Sequence, residues 1–119
     1  MPGLVLQRAR DKVPHCLVAA LFDPADGCLL SSSAAPEEVA SRTMTAAVAM
    51  RDLLRRSWVD DDSDPGVEVV VASRERLHVG LRSRANPGVA LLFVCRREAS
   101  LGMALARARI ILTEVEEVL

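Results

Sequence analysis

The residues best suited to chemistry in this sequence are three cysteines and two histidines, and they are widely spaced. Cys16, Cys28 and Cys95 stand among apolar neighbours without a CxxC pair, and neither His15 nor His78 completes a metal-ligand spacing with them. His78 falls opposite the apolar residues of its predicted strand, as a half-exposed strand histidine does. We therefore expect three buried, reduced cysteines, and neither a zinc site nor a bound cofactor.

Signatures of a self-contained enzyme are missing from the sequence. It contains no GxGxxG, GxxxxGK[ST], GxSxG or HExxH motif, and it has no tyrosine and only two histidines for acid–base chemistry. An arginine acting in trans is a separate alternative, because a guanidinium can stabilise the charge of a phosphoryl transfer on a partner. Predicted loops carry Arg74, Arg76, Arg82 and Arg84, although ordinary surface solvation explains each of them. We expect no catalytic residue.

The acidic segment DDDSDPG, residues 60–66, has the composition of a calcium loop but not its spacing. An EF-hand loop requires a glycine at its sixth position and a glutamate at its twelfth. Counting from Asp61 places Gly66 correctly but puts Ala72 at the twelfth position, and counting from Asp60 fails at both. The segment therefore predicts a solvated loop that ends the preceding helix.

Composition indicates a single globular domain over residues 1–119. The chain is 50% apolar and 26% charged, with a net charge of −1, which suits one domain with one core. Its basic residues are dispersed and aromatic residues make up only 3%, unlike a nucleic-acid-binding surface. No apolar run reaches the roughly 18–20 residues of a membrane span, and residues 1–13 do not resemble a signal peptide. We expect a cytoplasmic protein that binds neither nucleic acid nor membrane.

The first half of the chain predicts a hairpin followed by a long helix. Two apolar runs, 16–22 and 28–32, are joined by the turn-forming DPADG. The helix is predicted to start with Ser33 or a neighbour as its cap and Pro36 at its first helical position, and to run to about Trp58.

Three strands and a second helix follow the acidic loop. Strands are predicted at 67–73, 77–82 and 89–95, and a helix capped by Ser100 is predicted to reach the C-terminus. The strand at 89–95 is apolar at every position, which favours the middle of a sheet covered on both faces. Upstream of the hairpin, residues 4–10 predict no more than one helical turn. The expected architecture is an antiparallel sheet with helices packed against it, an α+β sandwich.

Both long helices are amphipathic on a helical wheel. In the first, the predicted buried arc consists of Val39, Thr43, Ala46, Ala47, Met50, Leu53 and Leu54. In the second, it consists of Leu101, Ala104, Leu105, Ala108, Ile111, Leu112, Val115, Val118 and Leu119. Met44 and Val48 form an apolar shoulder outside the arc of the first helix, which predicts a second partner for it.

Together these features resemble the roadblock/dynein light chain family, from about Val13 to Leu119. The resemblance rests on DGCLLSSS at 26–33, an Ala-rich helix opened by Pro-Glu-Glu, a three-stranded meander, and the Leu101-Gly102 pair that opens the last helix. It implies a five-stranded antiparallel sheet in the order 2-1-5-4-3 with a long middle helix and a C-terminal helix. The chain departs from the family in its reduced first helix and in Cys28, where a larger aliphatic residue is usual.

The resemblance also implies a symmetric dimer with one continuous sheet, in which two third strands pair and the middle helices lie side by side. An exposed Val-rich edge strand is a pairing liability for a monomer, which favours the same arrangement. The matching positions, predicted as the dimer interface, are Met44, Val48, Arg51, Val67, Val69, Val70, Val71 and Ser73. A heterodimer with another roadblock protein would use the same surfaces.

The function implied by the resemblance is that of the bacterial MglB/MglC polarity type. Such proteins regulate Ras-like GTPases in cell polarity and gliding motility, and the resemblance allows a location at the cell pole. We expect a noncatalytic adaptor that binds another roadblock protein or a response regulator, because no residue pattern resembles a catalytic site. A GTPase-activating protein that contacts the GTPase directly and a structural subunit of a hetero-oligomeric roadblock complex remain alternatives.

Overall fold

The computed structural model describes residues 2–36, 38, 40–57 and 68–119. These residues form three helices and one five-stranded sheet. The elements are α1 (Pro2–Lys12), β1 (Cys16–Phe22), β2 (Leu29–Ala34), α2 (Ala40–Ser57), β3 (Glu68–Ala72), β4 (Arg76–Arg82), β5 (Ala90–Arg96) and α3 (Leu101–Val118). The predicted order of strands and long helices is confirmed, and one further helix precedes them.

The sheet has the strand order β2-β1-β5-β4-β3, and every neighbouring pair is antiparallel. The last strand in sequence, β5, is therefore the central one, as its uninterrupted apolar composition predicts. All of β5 except Arg96 is buried. Because side chains of a strand alternate between faces, β5 contributes side chains to two separate hydrophobic cores, one on each face of the sheet.

Helices cover both faces of the sheet. On one face, α1 and α3 pack over Leu91, Phe93 and Cys95 of β5. On the other, α2 packs over Ala90, Leu92 and Val94. This arrangement leaves β2 and β3 at the two edges of the sheet.

The approach of α2 to the sheet depends on Gly80 of β4. A Cβ atom at this position would overlap the thioether of Met50 from α2. Glycine at this position therefore leaves the space that the Met50 side chain fills. This space allows α2 to lie close to β4.

Helix α1 corrects the prediction of a single N-terminal turn, because it extends over eleven residues. Val5, Leu6 and Ala9 are buried in the core that α1 shares with α3. The helical pattern of this segment is weak in the sequence, because it contains few apolar residues and charged residues stand between them. The helix is stabilised by its contacts with β1, β2 and α3, and such packing contributes more than intrinsic propensity in a short helix.

The start of α2 is also a correction. Strand β2 continues to Ala34, which lies opposite Val18, and Ser33 lies opposite Ala19. Ser33 is thus a strand residue and not a helix cap, because β1 offers backbone partners along its full length. Helix α2 begins at Ala40, and Pro36 lies in the turn before it. The predicted helix end near Trp58 and the acidic segment lie outside the described residues.

Helix α3 begins as predicted, with the Met103 N–H donating to Ser100 Oγ at 3.4 Å. Its fully buried residues are Ala104, Ala108, Ile111 and Val115. Leu101, Val118 and Leu119, which belong to the predicted buried face, are instead exposed, because they lie at the two ends of the helix.

The cysteines do not share one environment. Cys95 is buried, Cys16 is partly buried and Cys28 is exposed. The prediction of a buried Cys28 is wrong because this residue belongs to the β1–β2 loop and not to β2. Among the described residues, no three His, Cys, Asp or Glu side chains converge as metal ligands. Of the helices in those same ranges, none is long and apolar enough to cross a membrane.

Candidate interaction surface

Strand β3 is an edge strand with an apolar centre. Val70 lies opposite Val79 and is 36% exposed. Val69 and Val71 point to the other face, where both are half-buried and Val69 packs against the core under α2. Within the described part of the chain only β4 pairs with β3, so the backbone groups on its outer side are available to another strand. Val67, also predicted in the interface, lies outside the described residues.

The first residue of β3 is joined to α3 by a bidentate ion pair. Arg109 Nε and Nη2 donate to Glu68 Oε2 and Oε1 at 2.6 and 2.7 Å. These hydrogen bonds hold the pKa of Glu68 below its ordinary value, although desolvation acts in the opposite direction. Two parallel bonds fix the relative orientation of both side chains, so the ion pair positions the edge strand from the α3 side.

Ser73 closes the turn between β3 and β4. Its N–H donates to the carbonyl of Arg76 at 2.9 Å, and its Oγ accepts from the Arg76 N–H at 3.1 Å. The Ser73 side chain is thus engaged within its own hairpin, and its structural role is to hold β3 in register with β4.

A cleft lies between β4 and one side of α2. It has a volume of about 300 Å³, with His78 of β4 on one wall. The α2 residues on the other wall, called here the β3-side flank, are Arg42, Thr45, Ala46 and Ala49. Because β3 is the next strand beyond β4, this flank and the outer edge of the sheet lie on the same side of the molecule.

A smaller cavity of about 90 Å³ adjoins this cleft and reaches Glu38 and Arg76. Arg76 Nη2 donates to Glu38 Oε1 at 3.1 Å, and the Glu38 side chain is only 6% exposed. This pair connects the start of β4 to the segment that precedes α2, and it places one carboxylate and one guanidinium near His78.

His78 is half-buried between its two neighbouring strands, opposite Val71 on β3 and Val94 on β5. Desolvation is the main cause that lowers the pKa of His78 below its ordinary value, and the charge of Arg76 acts in the same direction. A hydrogen bond with the Val71 backbone and the charge of Glu38 oppose this shift. The neutral imidazole is thus favoured at the base of the cleft.

The other side of α2 faces the β1–β2 loop. Met44, Val48 and Arg51 lie there and form what we call the hairpin-side flank. A Cβ at Gly27, whose φ is +79°, would come within 3.0 Å of the Val48 backbone, and Arg51 Nη1 donates to the Asp26 carbonyl at 2.9 Å. Met44 remains 56% exposed. The predicted shoulder therefore exists, next to the hairpin.

The structure thus divides the predicted interface residues into two groups. Val69, Val70, Val71 and Ser73 lie together at the β3 edge, whereas Met44, Val48 and Arg51 lie together on the hairpin-side flank. On an ideal helix, the two flanks point roughly 145° apart. The residues of α2 that accompany β3 are Arg42, Thr45, Ala46 and Ala49. The helical wheel of α2 did not identify this flank, because its small and polar side chains give no apolar signal.

The arginines considered for catalysis in trans have different positions. Arg76 and Arg82 are the end residues of β4 and not loop residues, so their predicted location is wrong. Arg76 pairs with Glu38, and Arg82 Nη2 donates to the Pro87 carbonyl at 3.1 Å. Arg74 and Arg84 are exposed residues of the two connections that flank β4.

The fold has close counterparts among solved structures. The sequence matches no protein-family model and no curated relative. The structure is similar to a Roadblock/LC7 domain from Streptomyces avermitilis, with a TM-score of 0.77 and 19% identity over 98% of this chain and 95% of that one. It is also similar to MglC from Myxococcus xanthus, with a TM-score of 0.76 and 16% identity over 100% of both chains. MglB in a tetrameric arrangement gives a TM-score of 0.78 and 15% identity over 98% and 86% of the respective chains. The chain therefore has the roadblock fold that its sequence resembles.

Proposed function

We propose that this chain, with its roadblock fold, is a noncatalytic adaptor in a bacterial Ras-like GTPase system and acts as a symmetric dimer. The proposed setting in gliding motility and cell polarity rests on the likeness to MglC and to MglB, of which one example is named a gliding protein. The proposed self-association is supported by the tetrameric arrangement named for another MglB. We further propose a cytoplasmic location at the cell pole.

The observation that carries the dimer is an edge strand of valines beside an open cleft. Val70 is the central residue of β3, so two antiparallel copies of β3 can pair about a two-fold axis near it. The β3-side flanks of two α2 helices would then face each other across the same axis. Ala46 and Ala49 are small, which allows a close approach of the two helices. Strand pairing and helix packing would thus close the edge and the cleft together.

The proposed dimer keeps the β3 residues of the interface predicted from the sequence. On α2 it uses the β3-side flank instead of the hairpin-side flank. Met44, Val48 and Arg51 point away from the edge, so a dimer through β3 does not need them. The alternative is a dimer in which the hairpin-side flank makes the contact. A pair of adjacent substitutions on α2 separates the two arrangements, because Ala49 and Val48 are both exposed and lie on different flanks.

The test is the mass in solution of Ala49→Arg and Val48→Arg, each measured by light scattering over a range of concentrations. A bulky charge at Ala49 is expected to raise the dissociation constant by at least about tenfold, because it would be buried without a partner. Val48→Arg is expected to keep the mass of the wild type. The opposite pattern would assign the contact to the hairpin-side flank and reject the β3-side arrangement.

The adaptor role predicts which proteins the dimer binds. Tagged protein, incubated in lysate of its own cells with GDP or a nonhydrolysable GTP analogue, is expected to capture another roadblock protein or a response regulator in both nucleotide states. Capture of a Ras-like GTPase only with the GTP analogue, together with faster GTP hydrolysis by that GTPase, would instead support an activating protein. In that case Arg74→Ala and Arg84→Ala test the two exposed loop arginines.

A third outcome distinguishes the structural-subunit alternative. If the isolated chain is monomeric and acquires a dimer-sized mass only with another roadblock protein, the same β3 edge and flank serve a heterodimer. The Ala49→Arg substitution should then abolish that mixed complex, and Val48→Arg should not.

A further inference from the structure

Two cysteines lie directly opposite each other on neighbouring strands. Cys16, the first residue of β1, is paired with Cys95 of β5. The Arg96 N–H donates to the His15 carbonyl at 2.9 Å, so the hydrogen bond lies beside the cysteine pair and not within it. In a regular non-hydrogen-bonded antiparallel pair the Cα atoms are about 4.5 Å apart. The register shifts between Cys16 and Val18, so the hydrogen bond between Arg96 and His15 holds the cysteine pair from one side. Disulfides span Cα separations of about 4.4–6.8 Å, so the strand register is compatible with a disulfide.

The two thiols also differ in environment. Cys95 is fully buried and Cys16 partly so, on the face of the sheet covered by α1 and α3. The Cys16 thiol donates to the Val18 carbonyl at 3.2 Å. It holds its proton, because the neighbouring Cys95 thiol and burial both raise the pKa of Cys16. The neighbouring Cys16 thiol lowers the pKa of Cys95, although burial acts in the opposite direction. Of the two thiols, Cys95 is therefore the one that loses its proton more readily.

Arg10 of α1 supplies a positive charge near Cys16. Its charge lowers the pKa of Cys16, against the larger effects of Cys95 and burial. Its Nε atom is the one buried side-chain nitrogen or oxygen in the described residues that has no hydrogen-bond partner. An unpaired buried donor costs free energy, and a thiolate in this pair would provide a counter-charge for Arg10. A neighbouring cation also favours thiolate reactivity.

From this geometry we propose that Cys16 and Cys95 are a redox-active dithiol that closes to an intramolecular disulfide on reaction with hydrogen peroxide. The thiolate of the pair attacks one peroxide oxygen, the O–O bond breaks, and a sulfenic acid and one water form after proton transfer. The second thiol then attacks the sulfenic sulfur, an S–S bond replaces the S–O bond, and a second water leaves. The peroxide is reduced to two waters, the two thiols are oxidised, and exchange with an external dithiol reverses the reaction.

The disulfide would connect the α1–β1 junction to the end of β5 and so close most of the chain into one loop. Long loops give disulfides their largest effect on the unfolded chain. The oxidised protein is therefore expected to unfold at a temperature at least about 5 °C higher than the reduced protein. This inference does not depend on the proposed dimer, because both cysteines belong to one chain.

The experiment uses full-length Cys28→Ser, which removes the exposed cysteine and leaves the opposed pair. The folded protein is treated with hydrogen peroxide, free thiols are alkylated, and tryptic peptides are identified by mass spectrometry. The expected product links the peptide 13–42, which carries Cys16, to the peptide 85–96, which carries Cys95. Dithiothreitol should release both peptides. Separate alkylation of both cysteines after peroxide treatment, or links between different chains only, would overturn the proposal.

Three controls test whether the folded geometry is responsible. The linked product should form at least about tenfold faster in folded protein than in urea, because the register holds the thiols together; equal rates would contradict this role. Cys16→Ser in the Cys28→Ser background should give neither the linked peptides nor the rise in unfolding temperature. Arg10→Gln is expected to slow the reaction at least about threefold, and Arg10→Lys should retain most of the rate. A rate unaffected by Arg10→Gln would remove Arg10 from the proposed site.

Discussion

Arg109 of α3 holds Glu68 of β3 through two hydrogen bonds of 2.6 and 2.7 Å. The two residues connect a helix that covers the sheet to the first residue of its edge strand. Because Glu68 precedes the valines of β3, the ion pair helps to set the position of this edge strand. Its contribution to stability is modest, as expected for a pair near the surface, but its two bonds orient the strand.

The ion pair predicts a pH-dependent effect of Glu68→Gln. Since the folded pKa of Glu68 lies below the ordinary value of 4.5, its contribution is present above pH 4.5 and is lost as the pH falls through the folded pKa. At neutral pH we expect the variant to melt about 1–4 °C below the wild type. Thermal unfolding at several pH values should show this difference shrinking in acid. A difference that grows in acid would contradict the ion-pair explanation.

His78 predicts a loss of stability at mildly acidic pH. Its folded pKa is lowered, so the unfolded chain binds more protons once the pH falls below the ordinary histidine value of about 6.5. Stability should therefore decrease as the pH falls through that value and level off below the folded pKa. Urea unfolding of wild type and His78→Gln, at one protein concentration and between about pH 7.5 and pH 5, should show the steeper decrease in the wild type. Parallel pH dependence of the two proteins would exclude His78 as the cause.

The contact between Gly80 and Met50 predicts a size-dependent coupling. Gly80→Ala is expected to lower the free energy of unfolding by about 1–3 kcal/mol, because the new methyl group overlaps the Met50 side chain. In a Met50→Ala background the same substitution should cost much less, since the space is then free. Urea unfolding of the four proteins gives this coupling energy. Additive effects of the two substitutions would show that Gly80 is required for another reason.

Helix α1 offers a matched pair of leucines. Leu6 is fully buried and the nearby Leu4 is 52% exposed. Leu6→Ala should lower the free energy of unfolding by about 2–5 kcal/mol, as a buried leucine does when a cavity replaces it. Leu4→Ala should change it by less than about 0.5 kcal/mol. Equal effects in chemical denaturation would mean that α1 does not pack as the structure shows.

The parts of the fold that the sequence predicted are those in which pattern and packing agree. The all-apolar composition of β5 predicted its central position because both faces of a middle strand are covered. The start of α3 was predicted correctly from Ser100, because this serine caps the helix and does not belong to a strand. Ser33 misled the prediction because a serine suits both a helix cap and a strand, and the pairing with Ala19 determines which one forms. Helix α1 was missed because its stability comes from neighbours that local composition does not reveal.

The candidate site was predictable in part, for a geometric reason. The valines of β3 could be recognised from the sequence, because a run of valines by itself predicts an apolar strand. The helical wheel of α2 identified Met44 and Val48 as exposed apolar residues, but a wheel does not state which flank faces which strand. That assignment depends on how α2 crosses the sheet, which is shown by the contacts of Val48 with Gly27 and of Ala46 with the cleft beside His78.

The most direct test of the proposed dimer is the mass in solution of wild type, Val70→Arg and Leu30→Arg. Val70 and Leu30 are exposed apolar residues on opposite edge strands, so the second variant controls for the added charge. The wild type and Leu30→Arg should show twice the 12.9 kDa of one chain, whereas Val70→Arg should be monomeric and folded. A Val70→Arg protein that keeps the dimer mass would contradict an interface at β3.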